Sequence, residues 1–271
     1  MGLPNGVELI LAPNPSLLTG PGTNTYLIAA GEGHGGCVVI DPGPEDAGHL
    51  TKIAEMAEAR GGLNAILITH GHPDHVEGAA RLRELTGAPV LAWSRAGSPQ
   101  ADALLADEQV FLIGGRQVRA LHTPGHRFDH LCFLLEDAGA LFAGDLVAGV
   151  GTVVIAPPEG DLAEYMASLR RLLALELRVI LPAHGPQIDE PRTLLEQYIA
   201  HRNEREAQVL AGLAAGPVTV DALVASIYAD VDPRLHPMAA LSLTAHLLKL
   251  EREGRVAREA DATGTERWRL A

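Results

Sequence analysis

The chain has little of what several common kinds of protein need. Cysteine occurs twice in 271 residues, as Cys37 in a Gly-Gly-Cys-Val-Val-Ile run and Cys132 in a His-Leu-Cys-Phe-Leu-Leu run. Two cysteines in apolar settings exclude a disulfide framework or a sulfur-ligated metal site and read as buried thiols. No stretch of 18 or more apolar residues occurs, so no membrane-spanning helix is expected. The N-terminal stretch lacks the basic-then-apolar order of a secretory signal, and a soluble cytoplasmic protein is the expectation. Basic charge is also short: 21 Lys+Arg stand against 34 Asp+Glu, a net charge of −13. That argues against a protein gripping nucleic acid mainly by neutralising phosphates. The deficit is uneven. Nine of the basic and ten of the acidic residues fall from Gln197 onward, so the acidity belongs almost wholly to the first part.

An apolar fraction of 47% is ample for a core. The length suits one large domain, or a domain of about 200 residues followed by a small one. Strands are expected at 7–11 and 25–29 around a Pro/Gly/Asn-rich stretch, then at 37–40, where Asp41-Pro42-Gly43 stops the run. A helix over 45–60, ended by Gly61-Gly62, leads to a strand before His70. A helix from about His75 to Thr86, a strand at 90–92, a strand at 118–121 and a hairpin of 131–135 with 140–143 follow. Residues 94–107 give no clear assignment. Asp161 opens an amphipathic helix running to about Ala174, read as packing, and a strand at 178–181 completes an α/β pattern.

The chemistry is concentrated at strand ends. Within Thr-His-Gly-His-Pro-Asp-His-Val-Glu-Gly, residues 69–78, His70, His72, Asp74 and His75 set three imidazoles and a carboxylate into six consecutive positions. Imidazole and carboxylate suit zinc and neighbouring divalent metals, and Pro73 keeps the segment from simply continuing a strand or helix. His126 after Pro124-Gly125, Asp145 after Gly144 and His184 after Pro182-Ala183 repeat that placement. In α/β sheets this edge is where ligands converge. Seven N/O donors exceed the four of one tetrahedral site and match two metals sharing a carboxylate and a water. His122, inside a strand end, reads as a hydrogen-bonded scaffold residue, and His130 either meets substrate or caps the next strand.

From about Pro191 a long helix is expected to residue 215, with Tyr198, Arg202, Arg205 and Val209 on one face. Its arginines either contact an anionic substrate or serve structure, as in an Arg202–Glu206 pair. Helices over 218–228 and 237–254 and a hairpin of 255–258 with 267–270, around a turn at Asp261 to Gly264, make a winged-helix arrangement. Arg255, Arg258, Arg267 and Arg269 flank Trp268. They suit a nucleic-acid strand through phosphate contacts and stacking; equally, Trp268 closes a small core while Glu259, Asp261 and Glu266 neutralise the arginines.

Thr23-Asn24-Thr25-Tyr26, Val39-Ile40-Asp41-Pro42-Gly43, the HxHxDH segment, His122-Thr123-Pro124-Gly125-His126, Gly144-Asp145 and Pro182-Ala183-His184-Gly185 resemble the successive motifs of metallo-β-lactamase-fold hydrolases. The resemblance implies an αββα sandwich with two Zn2+ ions on one edge, Mn2+ or Fe being alternatives. By position it implies that His70, His72 and His126 hold one ion, that Asp74, His75 and His184 hold the other, and that Asp145 bridges them. Asp41 has no ligand slot and would hold neighbouring loops. Two such ions supply hydroxide near neutral pH, with Asp74 as ligand and general base and His130 hydrogen-bonding the attacked oxygen.

The segments HRNERE, TVDALVASIYAD and LTAHLLKLEREGRV, with Gly149 to Thr152 and Tyr165-Met166, resemble the β-lactamase-like protein 2 family. That implies a catalytic domain over 1–190, then a linker helix and winged helix over 191–271. It implies an endoribonuclease cleaving single-stranded RNA. The alternative is a glyoxalase II-like hydrolase of a small anionic thioester, and a third reading is a non-catalytic binder with structural metals. Arg127-Phe128 and Ala156-Pro157-Pro158 depart from the family pattern near the expected substrate groove. The winged helix either binds nucleic acid or carries homodimer contacts.

Overall fold

The computed structural model describes residues 2–260 and 263–271, which cluster into two compact units. One takes in residues up to 123, 129–153 and 175–192; the other takes in 124–128, 154–174 and 193 onward.

The first unit opens with β1 (Val7–Leu11), β2 (Asn24–Ala29), β3 (Cys37–Ile40), α1 (Ala47–Glu58), β4 (Leu63–Leu67), α2 (Pro73–Val76), α3 (Ala79–Thr86), β5 (Val90–Ala92) and β6 (Ala103–Leu104). The strands form one sheet in chain order, antiparallel from β1 to β3 and parallel from β3 to β6. The apolar run of β3 is buried throughout, as a strand covered on both faces requires. Next come β7 (Val110–Ile113), β8 (Arg116–His122), β9 (Leu131–Leu135), β10 (Ala140–Gly144) and β11 (Val179–Pro182), a second sheet ordered β11-β10-β9-β8-β7. Alternate residues point to opposite faces of a strand. Tyr26, Ile40 and Leu67 of the first sheet therefore meet Phe133, Phe142 and Leu181 of the second in a shared core, with Tyr26 edge-on to Phe142 at 5.2 Å. Leu27, Val39 and Ile66 face the other way, onto Leu50 and Ile53 of α1 and Leu82 of α3. Cys37 and Cys132 are buried thiols, and burial pushes the Cys37 thiol up to about 11.

Two differences from the sequence reading have local causes. The helix expected from His75 to Thr86 is broken between α2 and α3, where the Gly78 N–H donates to the Gly43 carbonyl at 2.9 Å and Pro44 and Leu50 leave no room for a side chain. The unassigned stretch contributes β6, and β7 was not expected at all: it is an edge strand whose Val110 and Leu112 are 48% and 67% exposed.

The second unit contains α4 (Leu162–Leu173), nearly all of α5 (Pro191–Leu213), α6 (Val220–Ile227), α7 (His236–Arg252), β12 (Val256–Ala260) and β13 (Glu266–Leu270). Asp161 caps α4 by accepting from the N–H groups of Ala163 and Glu164, which satisfies donors that a helix start leaves open. Val209, Leu223, Leu243, Leu247 and Val256 close around Trp268. At 1% exposure Trp268 is core, so of the two readings of the wing tryptophan the core one holds and the stacking one falls. Arg255 pairs with Glu206, Arg258 with Glu251 and Arg269 with Glu259. Asp261, expected to help neutralise them and to open the turn, lies outside the described residues together with Ala262. Arg202 is 3% exposed and lies over the Tyr165 ring. Arg205 lies over Tyr228 and donates to the Ile227 carbonyl. Both arginines lie on aromatic rings, and Glu206 pairs with Lys249 and Arg255.

Candidate metal centre

The site begins with Asp41, placed at the end of β3 with φ 51°, a left-handed conformation that Asp tolerates better than most residues. Buried there, its carboxylate accepts from the Thr69 N–H at 2.8 Å and the Thr69 hydroxyl at 2.7 Å, and its Oδ2 lies 2.7 Å from His75 Nδ1. A carboxylate accepts only, so the proton of His75 sits on Nδ1 and the lone pair on Nε2. That Nε2 is buried with no hydrogen-bond partner. The Thr69 hydroxyl spends its proton on Asp41 and thus accepts from His70 Nδ1, 3.0 Å away, which leaves the His70 lone pair on Nε2 as well. His70 Nε2 lies 2.9 Å from His72 Nδ1. The loop between them is held by Asp129, whose Oδ2 accepts from the Gly71 N–H at 3.0 Å.

Asp145 stands just past β10. Gly144 precedes it with φ +49°, and a methyl group there would meet His130 Nε2 at 2.7 Å and the Thr69 side chain at 2.9 Å. Asp145 Oδ1 lies 3.3 Å from His184 Nε2 and 3.6 Å from His75 Nε2, while its Oδ2 faces His70 Nε2 at 3.9 Å. One carboxylate therefore faces two groups of imidazoles. His184, in the loop after β11, is aimed from β2: the Asn24 side-chain amide donates to the carbonyls of Pro182 and Gly185, both at 2.9 Å, and the Tyr26 hydroxyl donates to Pro182 at 2.8 Å. Thr23 donates its hydroxyl to Asp74 Oδ2 at 3.3 Å. On the loop 124–128, His126 Nδ1 lies 2.8 Å from the Val154 carbonyl, which fixes the tautomer that presents Nε2.

Two groups result. His70, His72, His126 and Asp145 offer donor atoms within 4.8 Å of one another, and so do Asp74, His75 and His184. Electrostatics agree that positive charge belongs here. Burial disfavours a charged His184, yet hydrogen bonds to Asp145 and Asp74 raise it to about 9. Burial likewise opposes ionisation of Asp74, but His184 and His75 bring it down to about 2. An orphaned buried imidazole nitrogen, presented lone pairs and converging carboxylates fit divalent cations with nitrogen and oxygen preferences.

His130 is not where the sequence reading put it. Its ring is fully buried, its Nε2 accepts from the Asp145 N–H at 3.1 Å, and Nδ1 therefore donates to the Thr123 hydroxyl at 2.9 Å. Both nitrogens are committed to the protein, so the expected contact with an attacked oxygen gives way to a positioning role beneath Asp145. His122 is stacked on Trp93, 3.6 Å between ring centres, and belongs to neither donor group. Thr23, Asn24, Thr69 and Asp129 were given no role from sequence. They are short polar side chains whose partners are mostly distant in the chain; only the strand-end position of Thr69, one residue before His70, offered a signal.

Residues 18–184 match the metallo-beta-lactamase superfamily. The chain belongs to that superfamily. Residues 219–268 match the beta-lactamase associated winged helix domain. Among relatives of this superfamily chain, a beta-lactamase-like protein 2 homolog of Drosophila melanogaster is 36% identical over 284 residues, covering 96% of this chain and 93% of that protein. An atrochrysone carboxyl ACP thioesterase of Cryptosporiopsis sp. (strain 8999) is 32% identical over 278 residues, covering 96% and 83%. The crystal structure of a metallo-beta-lactamase family protein from Thermus thermophilus covers all of both chains with TM-score 0.82 at 24% identity, a likeness of fold. The chain is thus a metallo-β-lactamase-fold hydrolase with a His/Asp site able to hold metal and a C-terminal winged helix.

Proposed function

We propose that this hydrolase cleaves acyl thioesters at a two-metal centre, zinc being the first candidate for the metal. The reading is carried by the shared carboxylate: Asp145 faces both donor groups, so the residues present would hold two ions side by side. His70, His72 and His126 would hold one ion, and Asp74, His75 and His184 the other. Bound there, the ions supply Lewis acidity that makes hydroxide available near neutral pH and stabilises the developing oxyanion. Asp74, partly exposed and steadied by Thr23, orients the attacking water and takes its proton. The acyl carbon to oxygen bond forms, the acyl carbon to sulfur bond breaks, and the proton passes to the departing sulfur. Asp41 and His130 keep His75 and Asp145 in place.

Two observations favour a thioester over a nucleic-acid substrate. A thioesterase aligns with 96% of this chain, and on the wing the tryptophan is buried while Arg255, Arg258 and Arg269 are paired with carboxylates. Cleavage of single-stranded RNA, which the family resemblance of the sequence implies, is the second reading; the name of the beta-lactamase-like protein 2 homolog specifies no substrate. Metal-loaded protein assayed side by side on S-acyl pantetheines and on an unstructured RNA separates the two. Thioester turnover abolished by Asp74→Asn is expected; RNA cleavage with inert thioesters overturns the proposal.

A further inference from the structure

Beside the loop carrying His126, the second unit holds a cleft of about 200 Å³ that the chemistry above does not use. Its apolar lining is Phe128, Pro157, Pro158 and Leu162 with Ala245 and Leu248 of α7. Phe128, Pro157 and Pro158 belong to the two segments that the sequence reading set apart from the family pattern. Phe128 is 51% exposed in a chain with only four phenylalanines, whereas Phe133 and Phe142 are core. Charged residues in the lining are paired: Asp161 with Arg252 and Glu251 with Arg258, while Arg127, next to Phe128, is paired with Glu159. A neutral apolar group suits such a lining better than a phosphate.

The cleft and the ligand loop are one hydrogen-bonded piece. The Phe128 N–H donates to the Glu159 carbonyl at 3.0 Å and the Asp161 N–H to the Gly125 carbonyl at 2.8 Å. Gly160, also in the lining, sits so close that a methyl group on it would lie 2.7 Å from the His126 carbonyl oxygen. Two residues of chain span at most about 7 Å, so the backbone of Phe128 stays within that distance of His126.

We propose that this cleft receives the apolar acyl or aryl end of the substrate, so that α7 of the winged-helix domain sets chain-length preference. The proposal rests on the thioester reading above. Its test compares S-acetyl with S-hexanoyl pantetheine on metal-loaded protein. Burying four more methylenes is expected to raise kcat/KM on the order of a hundredfold. Phe128→Ala, on an exposed side chain, and Leu248→Gln, on a half-buried one, should each cut the hexanoyl-to-acetyl ratio at least tenfold while the circular dichroism stays that of the wild type. A wild-type ratio near one, or a ratio unchanged in both variants, removes the cleft from the substrate and leaves thioester hydrolysis standing. Turnover of neither thioester removes both.

Discussion

Asn at position 41 would keep the size of Asp41 and lose half of its work, because Oδ2 accepts from both the Thr69 hydroxyl and His75 Nδ1. Asp41→Asn should lower metal affinity about 10- to 100-fold while the chain stays folded, as read from metal content after dialysis. His130→Phe removes the acceptor beneath the Asp145 N–H. Leaving that amide unsatisfied costs about 1–3 kcal/mol, and metal content should fall with stability; a group that touched substrate would instead lower kcat at full metal content. His246 is a separate case. It is buried with neither ring nitrogen hydrogen-bonded, and burial, followed by Arg202 and Lys249, lowers it from 6.5 to about 3. The unfolded chain takes up this proton below about 6.5 and the folded chain does not, so stability is full above that pH and is lost as pH falls towards 3. The slope is about 1.4 kcal/mol per pH unit. Urea unfolding at pH 8 and pH 5 should show a loss of about 2 kcal/mol from this group, absent in His246→Leu.

At the scale of elements, Gly144 links β10 to the centre. Gly144→Ala would strain a positive φ and press on His130 and Thr69; a destabilisation of about 1–3 kcal/mol with loss of metal is expected from thermal melts and metal analysis. The loops that carry His70, His126, Asp145 and His184 were legible in the sequence because each ligand comes within four residues of the end of a strand, and the cap of α4 was legible because Asp161 stands three residues before Glu164. The edge strand β7 was not, since exposed Val110 and Leu112 break the expected pattern, and β6 is only two residues long. The support given by Thr23 and Asn24 could not be read either, because their partners lie 51 and 158 positions away. Trp268 among arginines fits a platform or a core equally well as a pattern, and only burial tells them apart.

For the whole molecule, the donor groups tie metal to stability. Anything that binds the folded state alone stabilises it, by about 4 kcal/mol at a thousandfold excess over Kd. Stripping the metal with a chelator should therefore lower Tm on the order of 10 °C, and returning zinc should restore it; scanning calorimetry of the full chain decides. An unchanged Tm would mean that the donors do not hold an ion under those conditions.

Asn24 reaching across to the segment around His184 has one more consequence. Asn24 precedes every donor of the centre in the chain and aims the donor that comes last, so a chain broken off before His184 carries the histidines of the HxHxDH loop without the partner group that completes them. Hydrolytic power is withheld until the segments around Asn24 and His184 have found each other.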